Sequence, residues 1–238
     1  MQVTLKDTQV VVLAGGLGTR IAPVLGVSTP KLLAPVDGRP YLSYFIDWVI
    51  GFGVCQVTLC LGHLADAVIA YLKANPPPIS IDWVVELKPL GTAGALRLAR
   101  DTMRGDPVLV CNGDSFTDVN LNAFLAFHRQ QQTLGSILCT EMLDTSRFGR
   151  VSVDAKNRIT TFSEKGIVGP GYINAGCYFL STDLLDQIAQ SSACSLENDI
   201  FAKLPTGTLS AFCGGFRFID IGTPESFRAA TAEMLRHV

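Results

Sequence analysis

Charge is what this chain has least of. Only 17% of its 238 residues are Asp, Glu, Lys or Arg, and the net charge is −2. No basic field is available to grip nucleic acid in bulk, although a few placed cations can still hold a small, highly charged ligand. The seven cysteines (Cys55, Cys60, Cys111, Cys139, Cys177, Cys194, Cys213) are odd in number and include no CxxC pair. Most sit in apolar runs such as residues 57–61, so they read as reduced core thiols rather than a metal site or a disulfide frame. An uninterrupted membrane span is also missing. The most apolar stretch, residues 41–62, has the length, but Asp47 and Gln56 lie in it and Gly51 and Gly53 break it. No segment has the basic start, apolar centre and small-residue cleavage site of a signal peptide, so the expected compartment is the cytoplasm. Internal repeats, low-complexity tracts and linkers are lacking too, and residues 1–238 are expected to form a single domain. His63, His128 and His237 have no partners at catalytic spacing.

What the chain does have is apolar: 48% hydrophobic residues with 22 Gly and 12 Pro, the balance of a compact globular protein. Residues 9–14 form a short β-branched run ending in Gly15-Gly16, which predicts a buried first strand. Pro23, Pro30, Pro35 and Pro40 then exclude a long regular helix. Residues 41–50 carry Leu42, Phe45, Ile46 and Val49 on one helical face. Strands are expected at 54–61, 81–85, 107–111 and 136–140, with helices at 64–72, 92–100 and 121–131 between them. That alternation implies a largely parallel sheet with helices on both faces. After Glu141 the rhythm changes. A hairpin (151–153 with 159–162), a strand at 177–180, helices at 182–189 and 196–203, strands at 209–213 and 216–219, and a terminal helix at 224–235 complete the reading. Trp48 and Trp83 are assigned to the core.

The strongest local feature is Leu13-Ala14-Gly15-Gly16-Leu17-Gly18-Thr19-Arg20, directly after the first strand. Its glycines let backbone N–H groups approach a phosphate and adopt positive φ. Arg20 adds a forked cation, and Lys31 after Pro30 a second. It is neither a Rossmann fingerprint, since Ile21 replaces the last glycine and prolines forbid the following helix, nor a P-loop, since Gly18-Thr19-Arg20 is not GK[ST]. A nicotinamide oxidoreductase is therefore excluded. Leu90-Gly91-Thr92-Ala93-Gly94-Ala95 opens a helix with small residues against which a flat base or ribose can lie. Asn112-Gly113-Asp114 and Asp220 follow apolar strands, where carboxylates point into the crevice of such sheets. Asp114 and Asp220 are either partners on one hard divalent cation or two turn and N-cap aspartates.

Taken in order, LAGGLGTR with Pro30-Lys31, PLGTAGAL, NGD, Phe162-Ser163-Glu164-Lys165-Gly166, Tyr172-Ile173-Asn174-Ala175-Gly176 and DIGTPE at 220–225 resemble the sugar-1-phosphate nucleotidylyltransferase family, from Val10 to about Ala230. The resemblance implies a Rossmann-like three-layer α/β/α sandwich with a mostly parallel mixed sheet. It implies the reaction NTP plus sugar 1-phosphate giving NDP-sugar plus pyrophosphate. Residues 38–42, 195–201 and 218–225 resemble most the bacterial D-glycero-D-manno-heptose 1-phosphate guanylyltransferases, which implies GTP, a manno-heptose 1-phosphate and a place in surface polysaccharide synthesis. Mannose-1-phosphate guanylyltransferases and N-acetylmuramate 1-phosphate uridylyltransferases share much of the pattern and stay open.

By the same resemblance Arg20 and Lys31 act on the phosphates. Leu13, Ala14, Gly15, Gly16, Gly18, Thr19, Gly91, Thr92 and Asn112 bind the nucleotide. Lys165 holds the sugar phosphate, Glu164 and Asn174 meet sugar hydroxyls, Gly149 gives backbone access and Asp199 supports the sugar site. Mg²⁺ sits on Asp114 and Asp220. Two departures stand out: Ala22 replaces a second basic residue, and Lys88 lies where relatives often carry an acidic or amide group near the base. A catalytically silent nucleotide-sugar sensor is the competing class, which the intact set Arg20, Lys31, Asp114, Lys165 and Asp220 disfavours. The absence of hexapeptide repeats leaves no expected acyltransferase module, and a homodimer is possible.

Overall fold

Val10, Val11 and Val12 carry no polar side chain on either face, so the run suits only a strand covered on both sides, and all three are fully buried. In the computed structural model, which describes residues 4–163 and 166–230, they begin β1 (Val10–Ala14). Glu164, Lys165, His237 and the end of the expected terminal helix lie outside the described residues.

After β1 come the short helix α1 (Ala22–Leu25), a 3-10 turn (Lys31–Leu33) and a small hairpin of β2 (Pro35–Val36) and β3 (Arg39–Pro40). Next are α2 (Tyr41–Gly51), β4 (Gln56–Leu61), α3 (Ala65–Ala74), β5 (Ser80–Val85), α4 (Gly91–Ala99), β6 (Val108–Asn112), β7 (Ser115–Thr117) and α5 (Leu121–Gln131). The remainder is β8 (Gly135–Met142), β9 (Arg150–Val153), β10 (Ile159–Ser163), β11 (Gly171–Leu180), α6 (Thr182–Gln190), β12 (Leu209–Gly214), β13 (Phe218–Asp220) and α7 (Pro224–Ala229).

Among the described residues the main sheet has nine strands, and its path runs β10-β9-β11-β6-β1-β4-β5, with β8 on β11 and β12 on β8. β5, β4, β1 and β6 are parallel, β11 runs against β6, and β9–β10 is the expected hairpin. The buried faces of α2, α3 and α5 form one core layer, and those of α4 and α6 the other, so the three-layer mixed sandwich is borne out. β1 has β4 on one side and β6 on the other, and this reversal of strand order opens a crevice at the carboxyl ends.

Two features of the sheet place the site. β11 keeps β8 along one edge but changes neighbour on the other, from β9 at Tyr172 and Ile173 to β6 at Cys177. A bulge lies between Asn174 and Tyr178, where Gly176 has φ +72°. Separately, β13 does not join the main sheet. It pairs antiparallel with β7, setting Asp220 opposite Ser115.

Two expectations are corrected and one strand was not foreseen. Residues 196–203 are not one helix but a π-turn (Leu196–Ile200) followed by a 3-10 turn (Phe201–Lys203). Ser195 Oγ accepts from Asn198 N–H at 3.1 Å, and Asp199 Oδ2 accepts from Cys194 and Ser195 N–H at 3.0 and 2.9 Å, which draws the chain into a wide turn. Trp83 is 37% exposed rather than in the core, because β5 is the edge strand of its sheet, whereas Trp48 is buried. β7 is too short to show any period in sequence. Cys60, Cys111, Cys139 and Cys177 are buried, Cys55 and Cys194 are exposed, and all seven thiols are free. Among the described residues no helix is long and apolar enough to cross a membrane.

Candidate active site

At the carboxyl ends of β1, β4 and β6 lies a cleft of about 540 Å³. All nine residues expected to bind the nucleotide line it, together with Lys31 and Asp114. The glycine loop turns at Gly18, whose φ is +64° and whose carbonyl accepts from Ile21 and Ala22 N–H at 3.1 and 3.0 Å. Gly113 fits against β1: its N–H donates to Leu13 O at 2.8 Å, and a Cβ there would lie 2.9 Å from the same oxygen.

The sequence reading missed one acidic group in this cleft. Glu86, directly after β5, lines it and accepts the Leu90 N–H on Oε2 at 3.1 Å. The side chain lies flat against Gly15 and Gly62, and a Cβ at Gly62 would come 2.7 Å from Oε1. Lys88 is exposed and does not line the cleft; the acidic residue that does is Glu86, two residues earlier. The rule that selected Asp114, a carboxylate just after a strand of the parallel sheet, also describes Glu86, whereas Asp220 ends the antiparallel β13 outside that sheet.

The charged cluster gathers around Asp114. Lys31 Nζ meets Asp114 Oδ2 at 2.8 Å. The β7–β13 ladder brings Asp220 alongside, Ile221 N–H donates to Asp114 O at 2.9 Å, and Gly222 N–H donates to Asp220 Oδ1 at 2.6 Å. Burial, and then the Asp114 charge, push the Asp220 carboxyl above its usual range, while Lys31 and Arg20 act in the opposite sense. Arg20 reaches this group: a Cβ on Gly222 would lie 3.4 Å from its Nη2. Tyr41, the first residue of α2, is fully buried and donates its hydroxyl to Ser115 O at 2.8 Å, bracing β7 beside the carboxylates. Burial and the charge of Asp114 hold the Tyr41 hydroxyl proton well above the usual tyrosine range.

Two oxygen donors that repel each other across a partly buried site suit a hard divalent cation, whose charge relieves both burial and repulsion. Among the described residues no cluster of three or more His, Cys, Asp or Glu is assembled. The rest of a cation's shell would then fall to phosphate oxygens and water, as is usual for Mg²⁺.

Beside Asn112, outside the cleft lining, β11 packs against the site. A Cβ at Gly176 would lie 2.6 Å from Asn112 Nδ2, so the bulge needs glycine for this approach. Asn174 sits just before the bulge and is bonded to Tyr178, Glu197 and Gly176. Thr92 Oγ1 accepts the Leu196 N–H at 2.8 Å, and Ala93 N–H donates to Cys194 O at 2.9 Å, which pins the 194–196 segment to the start of α4. Gly149 lies close to Ser163 O, 3.0 Å from where a Cβ would stand. Asp199 turns its carboxylate to backbone N–H groups, which hold it below the usual carboxylate range. Lys165, expected at the sugar phosphate, and Glu164, expected at the sugar hydroxyls, lie outside the described residues.

This geometry has known counterparts. The chain is 31% identical over 233 residues to a mannose-1-phosphate guanylyltransferase of Mycobacterium tuberculosis, covering 96% of this chain and 65% of that protein. It is 29% identical over 231 residues to the D-glycero-alpha-D-manno-heptose 1-phosphate guanylyltransferase of Aneurinibacillus thermoaerophilus, covering 97% of this chain and 100% of that one. Among solved structures, HddC from Yersinia pseudotuberculosis complexed with GMP-PN superposes with a TM-score of 0.84 at 32% identity, over 95% of this chain and 99% of that one. The family model for nucleotidyl transferases matches residues 9–237, and the chain belongs to the nucleotidyl transferase family.

Proposed function

We propose that this nucleotidyltransferase transfers GMP from GTP to D-glycero-α-D-manno-heptose 1-phosphate, releasing pyrophosphate and GDP-heptose for a bacterial surface polysaccharide. The observation that carries the choice of base is Glu86. Its carboxylate lies in the cleft, held by the Leu90 N–H and pressed against Gly15. Guanine presents two adjacent donors, N1–H and the exocyclic N2–H, and a carboxylate accepts both. Adenine and cytosine set a ring acceptor against it, and uracil offers a single N–H between two carbonyls. The sugar assignment draws on the heptose relatives of similar length. The mannose relatives, 31–34% identical, keep mannose 1-phosphate as a second reading that differs only at the sugar's outer end.

The reaction needs no protein nucleophile. An oxygen of the sugar phosphate attacks the α-phosphorus in line, the bond to the β-phosphate bridging oxygen breaks, and pyrophosphate leaves. The protein's part is to align two polyanions and to neutralise charge on the leaving group. Arg20 holds the β- and γ-phosphates. Lys31 leaves Asp114 for the α-phosphate and the incoming group. The backbone of Gly15, Gly16 and Gly18 lies along the phosphates, with Leu13, Ala14 and Thr19 beside them; Gly91, Thr92 and Asn112 flank the nucleoside. Lys165 serves the sugar phosphate, Glu164 a sugar hydroxyl, and Gly149 gives backbone access beside them. Asp114 and Asp220 would hold Mg²⁺, which when bound supplies charge neutralisation at the phosphate oxygens. We assign the work to one catalytic domain in the cytoplasm.

The test is pyrophosphate release with Mg²⁺, crossing GTP, UTP, CTP, ATP and dTTP with heptose, mannose, glucose and N-acetylmuramate 1-phosphates. Turnover confined to GTP with the manno-heptose phosphate is expected; preference for another pair overturns the assignment. Glu86→Gln should lower kcat/KM for GTP by roughly 10- to 100-fold, the range of one lost polar base contact, and leave UTP almost unchanged.

A further inference from the structure

Asn174 has little left to offer a sugar hydroxyl. Its two amide hydrogens go to Tyr178 Oη at 2.9 Å and Glu197 Oε1 at 2.8 Å, and its Oδ1 accepts the Gly176 N–H at 2.9 Å. An amide side chain has two donors and an oxygen with two lone pairs, so Asn174 keeps one acceptor position and no donor. A sugar hydroxyl would have to displace Tyr178 or Glu197 to receive a hydrogen bond from it. Asp199 is no freer, because its Oδ2 accepts two backbone N–H groups and its Oδ1 lies 3.5 Å from Lys203 Nζ.

Glu197 is differently placed. It is exposed, and an ionised carboxylate has about four acceptor positions, of which Asn174 takes one. It is also tied to the nucleotide cleft from two directions. The preceding residue, Leu196, donates its N–H to Thr92 Oγ1 at 2.8 Å, and Thr92 lines the cleft. On the other side Asn174 leads through the bulge at Gly176 to Asn112, another cleft residue. Glu197 lies in a π-turn (Leu196–Ile200) whose shape Asp199 and Ser195 fix, and single π-turns recur where a side chain must be presented.

We propose that Glu197 is the residue that reads the sugar: its carboxylate accepts hydrogen bonds from a pair of neighbouring sugar hydroxyls, Asn174 fixes its position, and Asp199 shapes the turn that presents it. This rests on the sugar-1-phosphate reading above and moves hydroxyl recognition from Asn174 to a residue that the sequence did not single out. Charge-assisted acceptance from two hydroxyls is a strong, directional contact, and its loss falls on the sugar alone.

Calorimetric binding of GDP and of GDP-mannose to the wild type, Glu197→Gln and Glu197→Ala separates the possibilities without requiring turnover. Expected is a loss of about 10- to 100-fold in GDP-mannose affinity for Glu197→Ala, a smaller loss for Glu197→Gln, and GDP affinity unchanged in both. With the 2-, 3- and 4-deoxy mannose analogues of GDP-mannose, the difference between wild type and Glu197→Ala should shrink for the two analogues lacking a hydroxyl that Glu197 reads and stay full for the third. Equal weakening of GDP and GDP-mannose, a penalty that is the same for every deoxy analogue, or no penalty at all overturns the proposal. A wild-type protein that holds GDP-mannose no tighter than GDP overturns the sugar-1-phosphate reading itself, a result visible before any variant is compared.

Discussion

Lys31 on Asp114, at 2.8 Å, places a cation on the carboxylate that a divalent ion would also claim. The pair holds both side chains at the mouth of the glycine loop before any substrate arrives. Lys31→Ala should lower kcat by roughly 10²- to 10³-fold, the usual effect of removing one placed donor or cation from a water-excluded site, with much less change in GTP affinity; equal effects on both would contradict a role in the transition state. A second single-residue case concerns stability. His128 is 7% exposed, its Nδ1 lies 2.8 Å from Ser136 Oγ, and that hydroxyl continues to Ser210 at 2.7 Å. Burial pushes its pKa down to about 4 from an ordinary value of 6.5. The unfolded chain therefore takes up the proton first as pH falls. Stability is whole above pH 6.5 and drains as pH falls to about 4, by about 3 kcal/mol if the change is complete. Denaturant unfolding of wild type and His128→Gln across that window checks this: the slope should be shallower in the variant.

At the scale of elements, the start of α4 is the joint that matters. Gly91 has φ +75°, and a Cβ there would run into the carbonyl of Cys194. Gly91→Ala meets both left-handed strain and that contact, so a loss of at least about 1–3 kcal/mol is expected, read as a fall of roughly 2–4 °C in Tm per kcal/mol. GDP-mannose affinity should fall with it, because the displaced segment carries Glu197. The sequence revealed elements with a period or a cap. α5 (Leu121–Gln131) matches its expected bounds, with Asn120 Oδ1 accepting the Ala123 N–H at 3.0 Å. β7 has three residues and no period. The first half of β11 was not legible because Gly171, Asn174 and Gly176 carry almost no strand propensity. Its pairing with β8 and β9 supplies what its composition lacks. The acidic residues divide in the same way. Asp114 and Asp220 were legible as carboxylates after apolar strands. Glu86 has the same position but follows an exposed edge strand, and Glu197 is singled out only by the saturation of Asn174, which no linear pattern records.

For the molecule as a whole, a ligand that fills the cleft should stabilise the fold by mass action. GTP at 100 times its Kd adds about 2.7 kcal/mol, or roughly 5–10 °C in Tm for a chain of this size. ATP at the same concentration should give a markedly smaller shift if Glu86 selects guanine. Differential scanning fluorimetry with each nucleotide reads this directly, and equal shifts for all five would remove the base-reading role.

Among the described residues, every one lining the cleft lies between positions 13 and 114, while the second carboxylate waits at position 220 on β13. The four parallel strands β5, β4, β1 and β6 are likewise complete by residue 112. As the chain emerges from the ribosome, then, the cleft-lining segment is translated about a hundred residues ahead of the second carboxylate, and the two meet only once β13 has folded back onto β7.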